Sequence, residues 1–176
     1  MDTRTRKLEV AAEQVASGFI HHLAPAFRTP ARLVCPSDEA ERAVVNAVTQ
    51  AAAARGIPAE AINLRPTPAE CLDGITARLD GWRSGSVVHA TDTMPTLLIL
   101  LAFDVFGDNK HEAPTYPFRS RFQFDRKFLW LFVGRDASRM RFLFGSSRRP
   151  LYQAASDITP EDWKSASPRQ SPPTPE

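Results

Sequence analysis

Two apolar runs constrain this chain more than any other feature: Leu97–Phe103 (LLILLAF) and the core of Lys127–Gly134 (KFLWLFVG). A strand with one solvated face alternates apolar with polar side chains, whereas a strand buried on both faces does not. Neither run alternates, and both fall far short of the ~20 residues a membrane helix needs. They predict neighbouring central strands of a sheet covered by helices on both sides.

The segments before them supply those helices. In TRKLEVAAEQVASGFIHHLA, the residues Leu8, Ala11, Ala12, Val15, Phe19 and Leu23 recur at three- and four-residue spacings, one face of a helix that Pro25 should close. ARLVCP reads as a short buried strand. The next helix starts in SDEAERAVVNAVTQAAAARG with Ser37 or Asp38 as N-cap. Glu41 stands in the capping-box position after Asp38, and Gly56 is the stop. PAEAINL reads as a second strand. TPAECLDGITARLDG then opens a third helix with Thr67 as cap, Pro68 at its first position and Glu70 in its first turn.

Alternating strands and helices build parallel sheets. Past Gly134, RMRFLFGSSRRPLYQAAS reads as two short strands around a Gly-Ser turn, a C-terminal β-hairpin, and TPEDWKSA as a last helical turn. The expected fold is a single α/β domain over residues 1–164 with a mostly parallel sheet, followed by a Pro-rich disordered tail at 165–176. A chain of 176 residues can bury such a core without a staple. Cys35 and Cys71 lack metal or redox spacing and read as buried reduced thiols. With no leader-like apolar stretch at the N-terminus, the expected location is the cytoplasm.

Charge is segregated. From Ala31 to Glu112 there are seven basic against eleven acidic residues, a net −4. From Pro117 to Pro150 there are nine basic against two acidic, a net +7. Eight of the nine are arginines: Arg119, Arg121, Arg126, Arg135, Arg139, Arg141, Arg148 and Arg149. These are the candidate contacts for a protein partner or a nucleic acid, since guanidinium groups take carboxylates and phosphates bidentately.

LLILLAFDVFGD has the form of a metal-binding strand of nucleotide hydrolases, an apolar run ending in an acid. The phosphate-binding partner of that strand is missing. After the first strand, VCPSDEAERAVV has no glycine, no lysine and three early carboxylates, where G-x-x-x-x-G-K-[ST] is needed. A degenerate P-loop-NTPase-like core without the phosphate-binding loop is the expectation. GxGxxG and G-x-S-x-G are absent as well. Asp92, Asp104, Asp108, His111 and Glu112 could hold magnesium for phosphoester cleavage, but FGDN is turn chemistry, and loop shaping is the preferred reading for Asp104 and Asp108. His21, His22 and His89 lack ligand spacing. Phe118, Phe122 and Phe124 interleave with Arg119 and Arg121, which suits core packing with outward arginines or stacking of single strands.

Two stretches carry a family resemblance. ARLVCPSDEAERAVVNAVTQAAAARGIPAEAINL resembles the strand, Pro-x-Asp turn, long helix, Gly-Ile and INL strand at the front of BrxB-type proteins of the BREX phage-defence systems. FLWLFVGRDASRMRFLFGSSRRPLYQAASDI resembles their later pattern of an apolar strand, glycine turn, LFG strand and Tyr-containing strand. The resemblance runs in outline from Ala31 to Ile158, with a shorter stretch between Leu64 and Leu97. It implies a small non-catalytic accessory protein. Such proteins work beside a PglZ-like partner of the alkaline phosphatase superfamily, an AAA+ ATPase and a DNA methyltransferase. It carries over no catalytic residue, metal or cofactor. The expected function is therefore an adaptor of an antiviral complex. The alternatives are a nucleic-acid-binding module using Arg119–Arg149 and a magnesium-dependent phosphoester hydrolase.

Overall fold

The computed structural model describes residues 3–21, 30–83, 95–123, 127–161 and 163. Helix α1 (Thr3–His21) precedes strand β1 (Ala31–Val34), helix α2 (Asp38–Ala53), strand β2 (Ala59–Asn63) and helix α3 (Pro68–Arg83). Strand β3 (Thr96–Leu101) runs into two short 3-10 turns, then helix α4 (Thr115–Phe122), strand β4 (Phe128–Gly134), helix α5 (Ala137–Gly145) and strand β5 (Ser156–Asp157). The sheet has five strands in the order β2-β3-β4-β1-β5. Every pairing is parallel, with Leu98 opposite Trp130 and Leu33 opposite Val133.

The two apolar runs are the centre of this sheet, and period two sorts their side chains. Leu97, Ile99, Leu129, Leu131 and Val133 face a layer made by α1 and α2, which is rich in alanine and valine. Leu98, Leu100, Phe128, Trp130 and Phe132 face the other layer, made by α3, α4, α5 and the turn after β3. That second layer is aromatic: Phe132 lies 4.6 Å from Phe103 and 5.5 Å from Phe144, ring centre to ring centre.

Local signals explain the helix ends. Ser37, not Asp38, caps α2: its Oγ accepts the N–H of Ala40 at 3.2 Å. The capping box expected between Asp38 and Glu41 is replaced by a different use of Glu41, described below. At the other end Gly56 adopts φ 70°, and the N–H groups of Gly56 and Ile57 return to the carbonyls of Ala53 and Ala52. This is the double closure that a left-handed glycine permits. Pro68 opens α3 with Glu70 in its first turn. The expected stop at Pro25, the contacts of Leu23 and the tail 165–176 lie outside the described residues.

The C-terminal β-hairpin is corrected. Asp136 caps a helix by accepting the N–H groups of Ser138 and Arg139, and the buried residues are Met140, Leu143 and Phe144, the spacing of a helix. In RMRFLF the alternation of Met140, Phe142 and Phe144 imitates a strand, but Phe142 points outward. The chain then turns through Gln153, at φ 52°, and β5 pairs in parallel with β1. No helix among the described residues is long and apolar enough to cross a membrane.

Candidate functional site

In an open parallel sheet the crevice forms where successive crossovers leave in opposite directions, beyond the carboxyl ends of the strands. Here α2 carries the chain from β1 toward β2 at one edge, and α5 carries it from β4 toward β5 at the other. The switch point is therefore between β1 and β4. A recess of about 410 Å³ sits there, lined by Asp38, Glu41, Arg42, Asn63, Arg65, Ala102 and Arg135.

Its centre is an ion-pair cluster. Arg135, one residue past β4, pairs with Asp38 and with Glu41, the latter at 3.3 Å. Both carboxylates come from the first turns of α2, and the Arg135 side chain is about three-quarters buried. Burial raises the Glu41 carboxyl above the usual range, with Asp104 adding to the rise and Arg65 opposing it. The connection from β1 to α2 is three residues, Cys35, Pro36 and Ser37.

Asp104 sits in the turn after β3, beyond Ala102, which is left-handed at φ 59°. Its Oδ2 accepts the N–H of Asp136 at 3.2 Å and so ties the β3 turn to the start of α5. Close packing there explains Gly134: a Cβ on it would lie 2.7 Å from Met140 Sδ and 3.0 Å from Asp104 Cβ. Asp108 caps its own turn by accepting the N–H of Lys110. Among the described residues no group of three or more His, Cys, Asp or Glu could hold a metal ion. Asp92, His22 and His89 lie outside the described residues.

The described arginines differ in their surroundings. Arg121 pairs with Asp80 at 2.9 Å, and Arg119 lies over the Phe122 ring at 5.6 Å. Arg139 pairs with Asp136 at 3.5 Å. Arg149 is buried, paired with Glu112 and stacked 3.9 Å from the centre of the Phe142 ring. Arg141 and Arg148 are exposed and make no ion pair among the described residues. Arg126 and Phe124 lie outside them. Phe118 and Phe122 are core residues packed on Trp130.

Cys35 is buried at the end of β1, and its N–H donates to Gly134 O. Burial, with the nearby Glu41 charge, pushes its thiol up to about 12. The thiolate is the reactive form. With iodoacetamide at mildly alkaline pH, half-buried Cys71 is expected to be alkylated first and Cys35 only on unfolding, as read by peptide mass spectrometry. Rapid labelling of Cys35 in the native protein would contradict the placement.

No protein-family model matches the chain. No curated protein matches it either. Among solved structures it is similar to the ORC1 protein of Aeropyrum pernix in complex with DNA, with a TM-score of 0.57 and 14% identity. The match covers 84% of this chain and 44% of that one, so the chain spans less than half of that protein's length. At this identity the likeness is one of fold.

Proposed function

We propose that this chain is a non-catalytic accessory protein, built on a P-loop-like core whose nucleotide site has been lost. The likeness of fold to ORC1 supports the core. The observation that carries the loss is the cluster of Arg135 with Asp38 and Glu41 at the switch point. A helix N-terminus there would ordinarily offer free N–H groups to a phosphate. In this chain Ser37 Oγ already takes one of them, the Ala40 N–H. Asp38, Glu39 and Glu41 supply anions in the first turn instead of the lysine and glycines of a phosphate cradle. Each carboxylate within ~4 Å of a phosphate charge would oppose it by about 4 kcal/mol at the effective dielectric of a protein surface. Three linking residues also leave no room for the wrapping loop. The residues present do not fit a nucleoside triphosphate, and no chemical step is assigned to one.

What remains is a rigid cytoplasmic scaffold that acts by binding. The sequence resemblance supports a BREX-type antiviral complex as its setting and a PglZ-like protein as its partner. Calorimetric titration with Mg-ATP is expected to show no saturable heat. Tagged protein expressed with its neighbouring genes is expected to recover the phosphatase-like component. Tight ATP binding at Ser37–Glu41 would overturn the loss of the site, and recovery of no defence component would overturn the adaptor.

A further inference from the structure

Four large apolar side chains stand exposed among the described residues; two of them, Tyr116 and Phe142, are linked through the Arg149 side chain, and a third, Tyr152, follows it in the next turn. Arg149 stacks on Phe142 at 3.9 Å and pairs with Glu112. Glu112 also accepts the Tyr116 hydroxyl at 3.3 Å, and the Tyr152 N–H donates to Arg149 O at 3.1 Å. Phe142 is 42% exposed although its ring is braced by the guanidinium, so it presents π surface to solvent. The brace is itself fixed, because Arg149 is buried between that ring and a carboxylate. Tyr152 is steadied in the same way: Gln153 Nε2 donates to its hydroxyl at 3.0 Å, while the Gln153 N–H donates to Phe144 O.

The charge around these rings is one-sided. The nearby carboxylates are already paired: Glu112 with Arg149, Asp136 with Arg139, and Asp157, which shares a recess with Arg141, with Arg32. Arg141 beside Phe142 and Arg148 beside Arg149 have no ion-pair partner among the described residues. The setting is polar, with Ser138, Ser147 and Gln153 exposed. A protein partner is best held by an apolar centre sealed from water. Separate rings in a polar, cationic field suit planar bases on an anionic backbone. We propose that this surface binds single-stranded nucleic acid, with bases stacked on Phe142 and Tyr152 and phosphates met by Arg141 and Arg148. The inference stands apart from the adaptor reading and survives or fails without it.

Fluorescence anisotropy with a labelled polypyrimidine DNA strand tests it. Saturable binding is expected at low salt, with affinity falling by about 0.7 log units per log unit of salt for each phosphate engaged. Phe142→Leu keeps the bulk and loses the π face, and is expected to weaken binding about ten- to hundredfold, while Phe142→Tyr stays close to the parent. Arg141→Gln with Arg148→Gln should flatten the salt slope. Both aromatic variants are compared by circular dichroism, so that loss of fold is not mistaken for loss of stacking. The proposal is overturned by absence of binding at low salt, by equal affinity of Phe142→Leu and the parent, or by duplex DNA binding as tightly as the single strand. Binding of polyglutamate with the same Phe142 dependence, and not of the DNA strand, would assign the surface to an acidic protein segment and overturn it too.

Discussion

Phe132→Ala is expected to lower the unfolding free energy by about 3–5 kcal/mol. Phe132 is fully buried in β4 and lies 4.6 Å from Phe103, 5.5 Å from Phe144 and 5.7 Å from Phe122. These rings come from the turn after β3, from α5 and from α4, three elements that meet around this side chain. A cavity bounded by several large rings cannot close by moving one of them, so the upper part of the range applies. Domains of this size have only about 5–15 kcal/mol to lose, so the variant should be marginal at physiological temperature. Urea unfolding followed by tryptophan fluorescence reads the effect as a lower midpoint at unchanged slope. Phe142→Ala, which trims an exposed ring of the same type, is the control and should cost about 1 kcal/mol or less. A loss below about 1 kcal/mol at Phe132 would mean that the aromatic layer is not packed as described.

That layer shows how far the sequence could be read. Both apolar runs, their burial and their adjacency follow from the lack of alternation in LLILLAF and FLWLFV, and they pair in parallel at Leu98 and Trp130. The start of α2 and its glycine stop follow from local chemistry at Ser37 and Gly56, which needs no partner from elsewhere in the chain. The strand order was not legible. β1 lies beside β4, and Leu33 meets Val133 across a separation that no window of residues reports. The hairpin failed for a different reason: over a segment as short as RMRFLF, periods of two and 3.6 select overlapping positions, and the burial of Leu143 with the exposure of Phe142 decides between them. Two arginines mark the same boundary. Arg135 could be counted among the cations, but its carboxylate Glu41 lies 94 residues earlier. Arg149 reads in the sequence as a candidate contact, and Glu112 with Phe142 encloses it.

The distinction between exposed and enclosed ion pairs decides what each one contributes. Arg78 and Glu60 meet at 2.8 Å, yet both side chains are more than two-fifths exposed, and such a pair is worth about 0–1 kcal/mol. The Glu60 carboxyl is drawn below its usual range by the hydrogen bond from Arg78. Arg149 and Glu112 are a different case, with side chains 7% and 19% exposed. There the two charges have given up most of their water.

Glu112→Ala is therefore expected to destabilise the fold by about 3–5 kcal/mol, because it leaves the Arg149 guanidinium enclosed without this carboxylate. The Tyr116 hydroxyl loses its acceptor at the same time. Replacing both members, Glu112→Met with Arg149→Met, removes the enclosed charges together and should recover most of the loss, since apolar pairs of similar volume are often neutral or stabilising in such places. The double-mutant cycle, read by urea unfolding, should give a coupling well above the ~0.5 kcal/mol seen between independent sites. Arg78→Ala on the same protein gives the exposed reference and should change stability by less than about 1 kcal/mol. If Glu112→Ala cost no more than Arg78→Ala, the pair would be a solvated contact and the brace behind Phe142 would lose its rigidity. Stacking on that ring would then have to be weaker as well, so the anisotropy titration and the unfolding curve of Glu112→Ala should move together.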